Sequence, residues 1–388
     1  MIHYFNPGHE AAVLNGSKYY QAPTNHVRMQ RELAFLPVWY ANPEDFVLVH
    51  EPVLPNFLQE ITAFCECRSI ACNAPTLIPL DKLAENVNWL SNQPVDIWGI
   101  SPQACHFLAQ LSEKYQLNWQ IPEWKDNYRT LGSRQTGQTV LSTLIEHIPE
   151  IDKNLLPQFY TSLDEIEQTV VQSTHKLVAK APYSSSGKGL VWLPPGKIAQ
   201  SERQILKGML RKQSTVSLER ALDKRMDFSM HFEITPDSGG LRVPESSSGQ
   251  ARLRHPAMTV RFIGYSLFQT NAKGAYEKSL LLSQKAMNKR LTEFISGDLL
   301  EKVKDRLLQI IEQIYTPHYQ GNIGIDMLIY LDDDQLKLHP CVEINMRKSM
   351  GYLALKLFER FLPPDFTGEF CVGYQPENSR YYVNVNKC

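Results

Sequence analysis

The first third of the chain alternates short apolar runs with stretches of helical periodicity. Three apolar runs, at residues 2–5, 46–49 and 95–100, have the length and composition of buried strands, and a turn-prone segment follows each of them. Pro102 indicates a helix start, because proline is tolerated in the first helical turn. Strands that alternate with helices predict a parallel sheet with helices on its faces. We therefore expect an α/β domain over residues 1–125.

The pattern changes after a connecting segment at residues 121–124. The predicted elements are helices at 134–148 and 163–173, and strands at 176–180 and 190–193. A polar loop joins the two strands, so they are expected to form a hairpin and not a strand followed by a helix. We assign residues 126–215 to one subdomain.

The remaining residues, 216–388, are predicted to contain longer strands and one clear helix. The strands are expected at 216–222, continued by Met230, Phe232 and Ile234, and at 260–268, 324–330 and 337–345. Between them, residues 236–250 are rich in Gly, Ser and Pro and are expected to form a mobile excursion. Apolar positions at helical spacing predict an amphipathic helix at 300–314. The last two strands are expected to flank a turn at residues 332–334.

Composition and charge restrict the class of protein. The chain has 388 residues, of which 43% are hydrophobic and 21% charged, and its formal net charge is −1. This length exceeds one ordinary core, so two or three domains are expected. Because no basic excess is present, nucleic acid is not an expected partner. No run of about 18 apolar residues occurs, so no membrane span or membrane partner is expected.

The cysteines and the N-terminal residues favour a reducing compartment. The chain has seven cysteines, an odd number, and its first residues lack the basic and apolar segments of a secretory signal. We therefore expect reduced thiols and a cytoplasmic location. Cys65, Cys67 and Cys72 lie close together, but their spacing matches no common zinc pattern and no second cluster follows.

The loop of the predicted hairpin has the composition of a phosphate-binding loop. Its residues are Ser184, Ser185, Ser186, Gly187, Lys188 and Gly189. Glycine lets the backbone approach phosphate oxygens closely, and successive amide groups can bind an anion. Lys180, at the end of the preceding strand, would add a positive charge. A Walker A motif is excluded because Gly189 follows the lysine where that motif has Ser or Thr, and a solvated turn remains the alternative.

Two acidic residues lie within apolar strands near the C-terminus. A buried carboxylate in such a strand, as at Asp326 or Glu343, raises the free energy of the folded state unless it is paired or binds a metal. Strand alternation puts Glu343 and Asn345 on one face, where Asp326 of an adjacent antiparallel strand can join them. Two carboxylates and an amide oxygen suit Mg²⁺. The alternative is an acidic, solvated sheet face.

Two cations follow the second acidic strand directly. Arg347 and Lys348 could balance negative charge that develops on a transferred phosphate or on an acyl phosphate. The alternative is that they form ion pairs with the neighbouring carboxylates. Near the N-terminus, His9 and Glu10 follow the first predicted strand, where open α/β sheets bind ligands, so they are candidate contacts of an acceptor substrate. An exposed capping turn is the alternative there.

Taken in order, these motifs resemble the ATP-grasp superfamily. The ordered set is a strand ending at Lys180, a loop of small residues, a second strand, Glu219, Asp326, and then Glu343 with Asn345. Members of the superfamily include D-alanine–D-alanine ligase, glutathione synthetase and biotin carboxylase. The resemblance covers about residues 126–360. It implies a Rossmann-like pre-ATP-grasp domain over 1–125, followed by ATP-grasp subdomains over 126–215 and 216–388.

The resemblance also implies a role for each matching residue. Lys180 would contact the α-phosphate and adenine side of ATP, and the loop would close over the β- and γ-phosphates. The hinge that faces the adenine edge would consist of Glu219, Arg220, Ala221 and Leu222, with Glu219 near the exocyclic amine. Asp227 would hold the ribose hydroxyls. The implied magnesium ligands are Asp326, Glu343 and Asn345, with Mn²⁺ as a substitute metal.

The chain departs from the family pattern at two cationic positions. The family usually has a second nucleotide-binding lysine before the loop, and Arg134 is the best candidate here. Arginine presents a planar fork, so it is not equivalent to lysine at a phosphate. Ligases of the D-alanine type have an arginine two residues before the metal-binding aspartate, where this chain has Gly324. Arg261 or Arg347 would then have to take the catalytic role.

The function implied by the resemblance is a carboxylate–amine or carboxylate–thiol ligase. It would use ATP to form an acyl phosphate, which a nucleophile then attacks, with small molecules as partners. A kinase or other phosphotransferase on the same fold is the first alternative, and a non-catalytic nucleotide-binding protein is the second. The sequence leaves the oligomeric state open, with a homodimer as one candidate because dimers are common among soluble oligomers.

Overall fold

The structure of the chain is a computed structural model that describes residues 1–50, 74–184, 189–237, 258–271, 274–377 and 379–387. Within these ranges it contains one parallel sheet and two antiparallel sheets. The predicted α/β class with an α+β C-terminal part is therefore confirmed. None of the helices in these ranges has the length and apolar character that crossing a bilayer requires.

Some sequence predictions concern residues outside the described ranges. They include Cys65, Cys67 and Cys72, most of the predicted excursion at 236–250, and four residues of the loop: Ser185, Ser186, Gly187 and Lys188. The statements below concern the described residues alone.

The N-terminal part is a four-stranded parallel sheet with helices around it. Its strands are β1 (Ile2–Tyr4), β2 (Phe46–Val49), β3 (Thr76–Pro79) and β4 (Val95–Ile97), in the order β3-β2-β1-β4. Its helices are α1 (His9–Asn15), α2 (Thr24–Glu32), α3 (Val87–Leu90) and α4 (Pro102–Tyr115), with 3-10 helices at Leu36–Trp39 and Leu80–Asn86. The parallel pairing is confirmed. Helix α4 begins at Pro102 as predicted, and Ser101 Oγ caps it by accepting from the amide of Ala104.

The middle part contains a small antiparallel sheet in the order β5-β8-β6-β7. Its strands are β5 (Gln158–Tyr160), β6 (Leu177–Lys180), β7 (Leu190–Leu193) and β8 (Val216–Arg220). Its helices are α5 (Asn127–Leu131), α6 (Arg134–His147), α7 (Leu163–Gln172) and α8 (Gln200–Gln213), with a 3-10 helix at Lys153–Leu155. The predicted hairpin is confirmed as β6 and β7. Apolar side chains of α7 and α8, including Ile166 and Leu206, pack against Leu193 in the core of this sheet.

The C-terminal part is a seven-stranded antiparallel sheet in the order β13-β12-β9-β10-β11-β14-β15. Its strands are β9 (Asp223–Pro236), β10 (Met258–Thr270), β11 (Tyr276–Leu281), β12 (Gly321–Asp332), β13 (Gln335–Asn345), β14 (Gly368–Gln375) and β15 (Arg380–Lys387). Its helices are α9 (Gln284–Thr292), α10 (Gly297–Ile314) and α11 (Met350–Phe361). The amphipathic helix predicted at 300–314 is confirmed as α10. The predicted turn is also confirmed, with Asp333 and Asp334 at φ of 47° and 59°, in the left-handed region that tight hairpins use.

The prediction of a continuing strand from residue 216 through Ile234 is wrong, because the segment is divided between two sheets. Strand β8 pairs with β5 and β6, whereas β9 pairs with β10 and β12. Ala221 and Leu222 connect the two sheets. The apolar alternation stops at the polar run of residues 223–225 and resumes at Met226, so this interruption was the signal in the sequence for the break.

Helix α6 belongs to the core of the large sheet. Its residues Val140, Leu141 and Leu144 pack in one cluster with Ile325 of β12 and Ile344 of β13. This packing brings the first turn of α6 beside the C-terminal half of β13. Residues of the predicted 126–215 subdomain are thus shared between two cores, and the boundaries at 125 and 215 stay a prediction.

The parallel sheet also shares a core with the C-terminal part. Phe5 and Trp98, which follow β1 and β4, pack in one cluster with Leu353 and Phe361 of α11 and Phe370 of β14. This contact places the carboxyl ends of β1 and β4 next to the segment that joins β13 to α11. Open α/β sheets bind ligands at these strand ends.

Candidate functional site

A cleft lies between the small sheet and the large sheet, beside the connection of β8 to β9. It encloses a cavity of about 300 Å³. Side chains with charge line the cavity from both sheets: Arg134, Lys180, Glu219, Arg220, Lys224, Asp227, Asp326 and Glu343. Apolar residues line it as well, among them Val178, Ala221 and Leu222. An apolar cavity with a few convergent charged groups is typical of a small-molecule site.

The acidic pair lies on one face of the β12–β13 hairpin. Asp326 and Glu343 are directly opposite each other in the antiparallel ladder, which confirms that they share a face. Ser229 Oγ donates to Asp326 Oδ1 at 2.5 Å, and Asn345 Nδ2 donates to Asp326 Oδ2 at 2.9 Å. Burial, and then the charge of Glu343, raise the pKa of Asp326 to about 7. Two acids so placed repel each other, and a divalent cation between them would remove that repulsion.

Arg134 reaches this acidic pair from the first turn of α6. Ser133 caps the helix, accepting from the amide of Thr136. Arg134 Nη2 donates to Glu343 Oε1 at 2.9 Å, and it also lies 3.2 Å from Ser184 Oγ. Its Nε and Nη1 donate to the carbonyl oxygens of Ala181 and Val342 at 3.1 and 3.3 Å. The guanidinium thus joins the small sheet, the loop and the large sheet.

Lys180 and Glu219 form an ion pair across the small sheet. Lys180 lies in β6 and is only 8% exposed, while Glu219 lies in the neighbouring strand β8. Burial acts to raise the pKa of Glu219, but the charges of Lys180 and Arg134 outweigh it, so the pKa is lowered. The resemblance implies separate roles for these residues on ATP, and those roles stay a prediction; in the structure the two side chains are each other's partner.

The remaining predicted hinge and ribose residues also line the cleft. Arg220 donates from Nη2 to Asp332 Oδ1 at 2.5 Å, an ion pair that leads away from the cavity. Asp227 Oδ2 accepts from Lys224 Nζ at 2.5 Å and from Thr270 Oγ1 at 2.9 Å. Asp227 is thus a carboxylate between a cation and a hydroxyl in the lining of the cavity.

The two ends of the predicted phosphate loop approach each other. Ala181 N donates to Gly189 O at 3.0 Å. Gly189 has φ of 81°, and a side chain added there would lie 3.0 Å from Ser184 Cβ, so glycine is required for both its conformation and its closeness. Ser184 faces Arg134, and the four residues between Ser184 and Gly189 lie outside the described part of the chain.

Arg347 lies in a second cavity that adjoins the cleft. Arg134, Glu343 and Asn345 line this cavity together with Arg347 and Glu10 of the parallel sheet's first helix. Arg347 forms an ion pair with Glu10, and its Nη1 donates to the carbonyl oxygen of Lys348 at 2.8 Å. The ion-pair partner of Arg347 is therefore Glu10 of α1 and not Asp326 or Glu343.

His9 is held in place where β1 and β4 end. Its Nε2 donates to the carbonyl oxygen of Ile100 at 3.0 Å. The side chain of Asn6 bonds both backbone groups of Gly99, at 2.8 and 3.0 Å, and so ties the two loops together. Burial lowers the pKa of His9 to about 4, so its ring stays neutral near pH 7. His9 and Glu10 both line the second cavity, which agrees with the position expected for an acceptor contact.

Arg261 is the predicted site residue that the structure does not bring to the cleft. Its side chain is 68% exposed and pairs with Glu233 at 2.7 Å. It is absent from the lining of both cavities. Arg261 pairs with Glu233 in the β9–β10 ladder, whereas Asp326 pairs with Ser229, which lies four positions before Glu233 in β9. That separation along the strands removes Arg261 from the acidic pair.

Sequence reasoning missed three polar residues at the site. Ser229 and Thr270 donate to Asp326 and Asp227, and His339 of β13 lines both cavities. Ser229 and His339 lie in strands at positions that could equally face away from the cleft. A polar residue in an apolar strand was the available signal, and it is the same signal that identified Asp326.

Comparison with known proteins gives likenesses of structure alone. No protein-family model and no curated protein matches the chain. The N5-carboxyaminoimidazole synthetase from Staphylococcus aureus, solved with ADP, is 12% identical over 96% of this chain and 82% of its own, with a TM-score of 0.44. Biotin carboxylase from Campylobacter jejuni is 10% identical over 98% and 77%, with a TM-score of 0.46. D-alanine–D-alanine ligase from Helicobacter pylori is 14% identical over 66% and 62%, with a TM-score of 0.37.

These identities and TM-scores are low, so the evidence on function comes from this chain's own residues, above all the β6–β7 hairpin and the acidic pair.

Proposed function

We propose that this chain is an ATP-grasp ligase that uses ATP and Mg²⁺ to join a carboxylate to an amine or a thiol. One observation carries the proposal. Asp326 and Glu343 share a face of the large sheet. Lys180, at the end of β6, and Arg134, at the start of α6, line the same cleft. Adjacent carboxylates opposite adjacent cations are suited to a metal-bound polyphosphate.

The cleft supports a binding mode for the nucleotide. Ala221 and Leu222, in the connection between the sheets, would meet the adenine, and Asp227 with its Thr270 partner would hold the ribose hydroxyls. Lys180 and Arg134 would bind phosphate oxygens. Each cation would then be shared between its present carboxylate partner and the nucleotide. The loop that begins at Ser184 would cover the phosphates.

The acidic pair supports a site for magnesium. Asp326, Glu343 and Asn345 offer oxygen atoms, the donors that Mg²⁺ prefers. Burial and the charge of Glu343 raise the pKa of Asp326, and a divalent ion bound between the two carboxylates would offset both effects. When bound, such an ion neutralises phosphate charge during phosphoryl transfer.

The proposed reaction has two steps. A carboxylate oxygen of the first substrate attacks the γ-phosphorus of ATP, the bond to ADP breaks, and an acyl phosphate forms. The amine or thiol then attacks the acyl carbon, loses its proton, and releases inorganic phosphate. Arg347, held by Glu10, would orient the carboxylate and stabilise the acyl phosphate, and the second cavity beside His9 would receive the nucleophile.

The experiment is a phosphate-release screen with ATP, Mg²⁺ and pools of small carboxylates and amines, followed by product analysis. The expected products are ADP, inorganic phosphate and an amide or thioester in equal amounts. A stable phosphate ester without free phosphate would support the kinase alternative. Binding of ADP that is indifferent to Mg²⁺, with no turnover in any pool, would support the non-catalytic alternative.

A further inference from the structure

His3 in the central strand of the parallel sheet lies between two carboxylates. It is 4% exposed. Its Nδ1 is 2.7 Å from Asp96 Oδ2 of β4, and its Nε2 is 3.1 Å from Asp45 Oδ2, just before β2. The groups packed around these three side chains are the Met1 amino group, 3.0 Å from Asp45 Oδ1, the ring of Tyr40 and the ammonium of Lys348.

These two contacts determine the charge of the ring. A neutral imidazole has one N–H, so its other nitrogen would present a lone pair to the lone pairs of a carboxylate within hydrogen-bond distance. Both contacts are favourable only if the ring carries two protons or if one acid is protonated. The second possibility is disfavoured, because both acids have lowered pKa values although burial acts to raise them. For Asp45 the hydrogen bonds from His3, the N-terminal amino group and the amide of Asn42 outweigh burial, and for Asp96 the charge of Lys348 and the hydrogen bond from His3 do so.

Asp96 also connects His3 to the segment beside the candidate site. Asp96 Oδ1 accepts from Lys348 Nζ at 2.5 Å, and the amide of Lys348 donates to the carbonyl oxygen of Trp98 at 3.0 Å. Lys348 is the neighbour of Arg347, whose guanidinium bonds the Lys348 carbonyl and pairs with Glu10. Two successive cations are thus fixed by two acids of the N-terminal part, Arg347 by Glu10 of α1 and Lys348 by Asp96 of β4, and His3 contacts Asp96.

We propose that His3 is held as a buried imidazolium and that it acts as a positioning residue: through Asp96 and Lys348 it fixes the segment that presents Arg347 to the candidate site. The inference rests on the proposed function only for the use made of Arg347. The protonation of His3 and the placement of Arg347 can both be measured without turnover.

The first test is nitrogen NMR of the histidine rings in the full-length protein as pH is raised. His3 is expected to keep both ring protons above pH 6.5, the ordinary pKa of a histidine. A His3 ring that loses a proton at or below pH 6.5 would overturn the proposal.

The second test compares His3→Gln with His147→Gln. Glutamine is neutral and can donate to one carboxylate at a time. In His3→Gln, the Nε–H of Arg347, which donates to Glu10, is expected to exchange with solvent about tenfold faster, corresponding to about 1.4 kcal/mol of lost protection. His147→Gln should leave that exchange unchanged.

An Arg347 exchange rate that is unchanged in His3→Gln but increased in Asp96→Asn would overturn the positioning role, because Asp96 would then act without His3. A urea titration supplies the stability control. Because the pKa of His3 is raised above 6.5 despite burial, by its hydrogen bonds to Asp45 and Asp96, its stabilisation should be full below about pH 6.5 and disappear as pH rises through the folded-state pKa. The stability difference between wild type and His3→Gln should shrink accordingly.

Discussion

Arg134 donates to Glu343 at 2.9 Å, and this contact joins the first turn of helix α6 to strand β13 inside the cleft. The same guanidinium bonds the backbone on both sides of the cleft, at Ala181 and Val342. A nucleotide phosphate that binds Arg134 must therefore compete with Glu343, while a metal that binds Glu343 must compete with Arg134. We expect the phosphate and the metal ion to bind together. The phosphate would replace Glu343 as the partner of Arg134, and the metal ion would replace Arg134 as the partner of Glu343, so neither charge is left buried and unpaired.

Replacing Glu343 tests the acidic pair. Glu343→Gln is expected to lower ATP turnover by about two orders of magnitude or more, because one anionic metal ligand is lost. The free energy of unfolding should change by less than about 1 kcal/mol, because glutamine keeps an oxygen that can accept from Arg134 and no longer repels Asp326. The matched control is Glu150→Gln, which removes an exposed partner of Lys302. Unchanged turnover in Glu343→Gln would exclude the proposed metal site.

Replacing Arg134 by lysine tests the use of its planar fork. Lysine keeps the charge but cannot bond Glu343, Ala181 and Val342 at once. We expect the KM for ATP to rise about tenfold, the effect of losing one charge-assisted hydrogen bond. Arg203→Lys serves as the control, because Arg203 is exposed and pairs with Glu167 at the surface. Equal KM values for the two variants would show that charge alone suffices at residue 134.

The raised pKa of Asp326 predicts a pH dependence of stability in protein treated with EDTA. The folded state holds a proton on Asp326 up to about pH 7, whereas the unfolded chain releases it near the ordinary aspartate pKa of 3.8. The free energy of unfolding should therefore fall as pH rises from about 4 to 7 at this residue. Asp326→Asn should flatten that part of the curve in a urea titration. A variant with the same slope as wild type would contradict the prediction.

The contact between His9 and Gly99 predicts a packing effect. A Cβ added at Gly99 would lie 2.5 Å from the ring of His9, which is itself bonded to the backbone. Gly99→Ala is expected to destabilise the fold by about 1–3 kcal/mol, the usual effect of overpacking. Gly208→Ala is the control, because nothing lies within 4 Å of a Cβ there, and alanine within helix α8 should stabilise by about 0.5–1 kcal/mol. Urea unfolding of both variants measures the difference.

Strand alternation was sufficient to predict the acidic pair. Period-two geometry fixes the face of Glu343 and Asn345, and a hairpin between their strand and that of Asp326 brings the three together. The helix at α10 and the parallel N-terminal strands were predictable for the same reason: local periodicity reports which face is buried.

Partners that depend on tertiary placement could not be predicted. Arg347 and Glu10 are separated by 337 positions in the chain, and nothing local to either residue indicates the other. The pairing of Lys180 with Glu219 depends on the register of β6 against β8. Arg261 was placed at the site because of its charge, and only the register of β10 shows that its side chain is remote.

The cluster that unites Phe5 with Phe370 has a consequence for biosynthesis. The strands of the parallel sheet leave the ribosome first, yet part of the cover over the apolar surface that follows β1 comes from α11 and β14, which are translated near the end. Nascent chains should therefore display that surface for most of translation, and such surfaces attract chaperones and favour aggregation. Ribosome-bound chains cut before residue 350 should bind trigger-type chaperones more strongly than chains extended beyond residue 375.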